Sequence, residues 1–159
     1  MTIFVIDLHD VDTANQNFTA YVVMRAIWHD ERLAHNDATG KVVHPLTDIW
    51  HPLLQWVNQE RASKTFPETV EVSSEGKVTY LQRVWGQFTQ PLRLRDFPFD
   101  EQEFNITLRA AEHTPDEVRL VQDSEFPSGL ADNLSLAEWK VISSETMTGS
   151  TSHFVKSNP

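Results

Sequence analysis

Seven histidines and 23 acidic residues give this 159-residue chain many pairs that could do chemistry. His9, Asp10 and Asp12 would make a metal set if they converged. On a strand, however, His9 and Asp10 point to opposite faces. His29 with Asp30 has the same fault, and His51 precedes Pro52 and belongs at a corner. Ser143 and Ser144 lack the glycine elbow and base of a serine nucleophile. No glycine-rich loop cradles a phosphate. The chain has no cysteine, which excludes thiol catalysis, cysteine–metal sites and disulfides. These residue types favour a binding module over an enzyme. Asp7, Asp10 and Asp12 fall on one strand and its turn. Crowded carboxylates titrate together, so they suit a proton sensor, and with backbone carbonyls they suit Ca²⁺.

The elements that must position such groups are strands. Residues 92–108, LRLRDFPFDEQEFNITL, hold a proline-kinked loop followed by a strand. Pro98 donates no backbone hydrogen bond and keeps Phe97 extended. Phe97 and Phe99, flanked by Asp96 and Asp100, would make an exposed apolar knuckle. After it Phe104, Ile106 and Leu108 alternate with polar residues, one buried face of a strand. Residues 3–11 and 18–30 form a hairpin about the polar 12–17 turn, with Tyr21, Val23, Arg25 and Ile27 on one face. On the first strand, Ile3, Val5 and Val11 take one side, and Phe4, Ile6 and Leu8 the other. Residues 69–73 and 77–88 form a second hairpin about Ser74-Glu75-Gly76. Residues 101–110 and 117–122 read as a third, and 136–147 as a further strand. Residues 31–47 read as loop, and 59–67 as polar and mobile. No helical period runs for a useful length, so the fold class is an antiparallel β-sandwich.

Length and 40% hydrophobic content suit one folded domain. The net charge of −10 disfavours nucleic acid and anionic lipid as partners and favours cations nearby. No run approaches the roughly 20 apolar residues of a membrane helix, so this stretch by itself is expected to form no pore. No leader with a basic start and an apolar centre opens it. Triplets at Asn17, Asn105 and Asn133 fit the glycan-acceptor pattern.

The 92–108 stretch resembles the signature loop of the pentameric ligand-gated ion channels, the family of the acetylcholine, glycine and GABA receptors. In animal members two cysteines bracket that loop. Here Gln90 and Phe104 stand at the matching positions, as in prokaryotic members without the disulfide. The resemblance continues in the family's order: WHDERLA at 28–34, DIWHP with Asn58 at 48–58, EGKVTYLQR at 75–83 and AEWKV at 137–141. It is strongest to the bacterial proton-gated channels.

That resemblance implies an extracellular ligand-binding domain with an immunoglobulin-like sandwich, in a homopentamer on the outer side of a membrane. A ligand would bind between copies. Trp56, Val57, Asn58, Ala111, His113, His153 and Phe154 would supply the principal side. Tyr21, Val23, Arg25, Tyr80 and Arg83 would supply the complementary side, where Arg83 matches a carboxylate-binding arginine. Val23, Val57 and Ala111 stand where amine receptors place aromatics, which disfavours a quaternary amine. Asp7 matches an acidic position of the proton-gated relatives, and Gln16 replaces another. Asp12, Thr13, Phe97, Pro98, Phe99 and Asp100 would pass movement from the 12–17 and 96–100 loops to a pore domain. The family's last strand would only be starting at residues 153–159. The sandwich would then lack that strand, or another segment would supply it. Two rival readings remain: a free-standing secreted pentamer of the same fold, and a sandwich lectin or hydrolase.

Overall fold

A computed structural model describes residues 1–92, 101–136, 139–147 and 151–158, the last segment as backbone. Its strands are β1 (Thr2–Asp12), β2 (Asn17–His29), β3 (Lys41–Pro45), β4 (Leu54–Trp56), β5 (Gln59–Lys64), β6 (Thr69–Ser73), β7 (Lys77–Thr89), β8 (Gln102–Ala110), β9 (Gly129–Leu130), β10 (Lys140–Met147) and β11 (Thr151–Asn158). Two 3-10 turns, Glu31–Leu33 and Leu46–Asp48, are the helical elements among the described residues. One sheet runs β3-β6-β7-β2-β1-β9, with β5 also on β7. The other runs β10-β11-β8-β4. All pairings are antiparallel except the two-residue β1–β9 contact.

Alternation builds the sandwich. Along β2 the even residues Phe18 to Ala26 are buried, and along β7 so are Val78, Tyr80, Gln82, Val84 and Phe88. The two strands pair from Asn17–Thr89 to His29–Lys77 without a register shift, so both apolar rows face the same way. Trp56, Phe104, Ile106 and Leu108 close on them from the second sheet. Phe18 stacks on Phe88 at 5.6 Å and meets Phe104 at 5.0 Å, locking the sheets together.

Several sequence expectations change here. The alternation of β1 was read as placing Leu8 opposite Ile3 and Val5, yet all three are buried in the core. A register shift between Val5 and Asp7 carries Leu8 back to the core face. Residues 59–64 are a strand, not a mobile loop. Every β5 side chain is exposed, and the strand pairs with β7 from Gln59–Phe88 to Lys64–Val84. Residues 31–47 contain β3. Residues 117–122 form no strand; Thr114 and Glu117 close a turn instead, with Thr114 N and Oγ1 donating to the Glu117 carboxylate. The last strand is present: β11 lies inside its sheet, between β10 and β8.

The 73–77 turn yields a direct prediction. Gly76 has φ +82°, and a Cβ there would lie 2.5 Å from the Asp30 carbonyl oxygen. The Gly76 carbonyl also accepts from Asp30 N at 2.9 Å. Gly76→Ala should therefore cost about 1–3 kcal/mol, read as a lower urea midpoint with an unchanged slope. An unchanged midpoint would contradict this account of the turn.

Candidate functional site

The β2–β7 register sets Val23 opposite Arg83, Tyr21 opposite Trp85 and Arg25 opposite Leu81. These odd-numbered residues all face away from the core. Tyr21 is the centre of the face. The His9 ring stacks on it at 5.7 Å, and the Arg83 guanidinium carbon lies 5.5 Å from its centroid. Arg83 Nε and His9 Nε2 are both buried and have no hydrogen-bond partner among the described residues.

The other guanidinium is already committed. Arg25 donates to Asp123 Oδ2 at 2.9 Å and lies 4.3 Å over the Phe126 ring. The Glu125 N–H first, then the Phe126 N–H, the amino terminus and Arg25, hold the Asp123 carboxyl below its usual range. That carboxylate stays ionised and occupies Arg25. Arg83 thus has no carboxylate partner among the described residues.

The expected principal side is partly redistributed. Val57 and Ala111 are exposed, held by backbone bonds to Thr107 and Leu53. Trp56 is buried with its edge on Phe88, and Tyr80 is buried on the opposite face of β7 from Arg83. Both leave the candidate cleft. So does the Asn58 side chain, which donates to the Asn105 carbonyl at 2.6 Å and accepts from Thr107 N at 3.1 Å; it is a brace. His113 packs on Trp50 at 5.5 Å, and its Nε2 is buried without a partner among the described residues. His153 and Phe154 occupy register positions opposite Ile106 and Asn105 on β8.

The 12–17 turn is built by its own aspartate. Asp12 accepts from the Asn15 side chain and from the backbone N–H groups of Asn15 and Ala14. The Asn15 side-chain bond is the largest of the causes that hold this carboxyl below its usual range. A carboxylate with a lowered folded pKa stabilises above its unfolded value, near 3.9, and loses that stabilisation as pH falls through the lowered one. The Ala14 and Asn15 amides should therefore show no titration step above about pH 4 in a proton–nitrogen NMR series. A step near pH 6 would reverse this reading. Thr13 is exposed in the same turn. Asp7 accepts from Ser135 N at 2.7 Å, and Asp10 sits at φ +57° beside the second register shift of β1. Among the described residues no three His, Asp or Glu side chains converge to hold a metal, so Ca²⁺ gains no geometry there.

Gln90 is the residue that sequence reasoning passed over. It is buried, its Oε1 accepts from Asn105 N at 2.6 Å, and its own N–H donates to the Gln16 carbonyl at 2.8 Å. One side chain and one amide thus tie the 12–17 turn, the end of β7 and β8 together. Its position, where animal members carry a loop cysteine, was the available signal. Phe97, Pro98, Phe99 and Asp100 lie outside the described residues.

Residues 1–158 match the neurotransmitter-gated ion-channel ligand binding domain family. This chain belongs to that family. It is 28% identical over 144 residues to the proton-gated ion channel of Gloeobacter violaceus, covering 89% of this chain and 40% of that protein. It is 26% identical over 141 residues to the human neuronal acetylcholine receptor subunit alpha-9, covering 84% of this chain and 29% of that one. The human 5-hydroxytryptamine receptor 3B is 27% identical over 155 residues, 90% of this chain and 34% of the receptor. The chain therefore spans well under half the length of these relatives. Among the described residues no helix is long and apolar enough to cross a membrane. For this ligand-binding domain, the paired β2–β7 strands supply a face on which Arg83, beside Tyr21, has no salt-bridge partner among the described residues.

Proposed function

We propose that this domain senses a small carboxylate at the junction between adjacent copies of itself, outside a membrane, and passes the rearrangement to a pore domain. Its role is binding, not catalysis. The observation that carries the reading is Arg83: its guanidinium rests on Tyr21, and its buried Nε lacks a partner among the described residues. A carboxylate with two oxygens would match that planar fork, and a neighbouring copy would cover it. Exposed apolar side chains on both candidate faces, Leu81 at 43% and Val57 at 48%, support burial against another copy. The turn made by residues 12–17, fastened through Gln16 and Gln90, is the proposed output.

Acid is a second stimulus, favoured by one observation: the His9 ring nitrogen buried beside Tyr21 without a partner among the described residues.

The test places residues 1–158 before the pore domain of the Gloeobacter relative and records membrane current. A saturable response to acetate or to acid supports the sensor. A chimera that reaches the surface and answers neither stimulus overturns it.

A further inference from the structure

We infer that Asn58 and Gln90 are positioning residues that carry a displacement of the 57–58 corner to the 12–17 turn, and that they do so through the backbone of Asn105 on β8. The inference rests on the proposed sensor, in which that corner meets the next copy.

β4 pairs with β8 only from Leu54–Ala110 to Trp56–Leu108. Past that point, side-chain amides take the place of a strand along the same edge. Val57 N donates to the Thr107 carbonyl at 2.8 Å. The Asn58 carboxamide accepts from Thr107 N at 3.1 Å and donates to the Asn105 carbonyl at 2.6 Å. Gln90 completes the edge, its Oε1 accepting from Asn105 N at 2.6 Å. The backbone N–H and C=O of Asn105 are thus both satisfied, one by each carboxamide. Gln90 N then donates to the Gln16 carbonyl at 2.8 Å, and Thr89 N to the Asn58 carbonyl at 2.8 Å. Hydrogen bonds run unbroken from Asn58 through Asn105 to Gln90 and on to the turn, which is the contiguous contact that coupling between distant sites can use.

Asn105 does not hold this place by its own side chain. Its Oδ1 is buried with no partner among the described residues. A buried acceptor left open is costly. The two clamps hold the strand against that cost, and losing either one releases it.

The first test needs no stimulus. Amide hydrogen exchange is followed in the 159-residue chain carrying Asn58→Asp, which keeps the acceptor for Thr107 and loses the donor to Asn105. The Gln90 amide should exchange about tenfold faster, the equivalent of one lost hydrogen bond. The Asp30 amide, bonded to the Gly76 carbonyl at the far end of the β2–β7 pair, should stay within about twofold of the parent, because protection is local. Gln90→Met, similar in shape but without the acceptor, should speed the Thr107 amide by a factor like that at Gln90. Asn105→Leu removes the open acceptor and keeps both backbone bonds, so Gln90 should stay at least as protected as in the parent. The second test records current from the chimera. Asn58→Asp and Gln90→Met should each lower the maximal response to saturating acid or acetate. The pair should lower it no further than the larger single change, because both act through one residue, whereas two unrelated structural defects would multiply. The inference fails if Gln90 exchange is unchanged in Asn58→Asp, if Gln90 and Asp30 speed up alike, if Asn105→Leu unprotects Gln90, or if the two losses of current multiply. A parent chimera silent to both stimuli sinks the sensor and leaves the exchange result to decide the clamps.

Discussion

Replacing Phe104 with alanine is expected to cost about 3–5 kcal/mol of folding stability. Its ring is 1% exposed and lies 5.0 Å from Phe18 and 5.7 Å from Trp139. It comes from the second sheet and packs against the first through Phe18, so its removal opens a void at the seam. A close-packed interior closes such a void only in part. At roughly 2–4 °C per kcal/mol for a chain of this size, the melting point should fall by about 10 °C. Phe104 stands where animal relatives carry a loop cysteine, and its neighbour Asn105 is held by Gln90. A melting point within about 2 °C of the parent, under one kcal/mol on the same scale, would show that the seam is closed elsewhere.

Arg83→Ala should weaken any carboxylate response by at least about thirtyfold, the equivalent of the roughly 2 kcal/mol lost when one partner of a hydrogen-bonded charge pair is truncated. The substitution should leave folding nearly intact, since Arg83 is paired with no acid among the described residues. Arg83→Lys keeps the charge and loses the planar fork, so its response should fall between parent and alanine. Arg25→Ala should behave in the opposite way. It frees Asp123 and the Phe126 ring, so it should lower stability and leave the carboxylate response close to that of the parent. A shift of equal size from Arg25→Ala and Arg83→Ala would contradict the assignment.

Most of the frame was legible because alternation and turn chemistry agreed. The 69–73 and 77–88 hairpin was marked by Gly76, whose positive φ the turn requires, and β1–β2 by the polar 12–17 cluster. What escaped follows from tertiary context. The register shifts of β1 reverse which side chains are buried, and no local pattern announces them. β5 is polar on both faces, with every side chain exposed, so it looks like a loop. β11 was expected only to be starting at residues 153–159, with the sandwich lacking it or another segment supplying it; it runs Thr151–Asn158, between β10, the strand just before it, and the more distant β8. The outward row of β2 was placed correctly, and it carries Arg83's neighbours. Tyr80 was misplaced by one step of the same alternation, and Trp56 and Asn58 turned out to hold the sandwich together. Pairing of Arg25 with Asp123 could not be foreseen across a separation of 98 residues.

The central claim is that the outward face of β7 meets the 57–58 corner of a second copy. The chain has no cysteine, so single replacements report cleanly. Leu81→Cys and Val57→Cys, both at exposed positions, would be introduced together into the full-length protein, which would then be mildly oxidised and resolved by mass without reductant. The account predicts a ladder of linked copies that stops at the pentamer, and no ladder from either cysteine alone. A doubly substituted protein that stays a single band, or links through like cysteines in pairs, would contradict it.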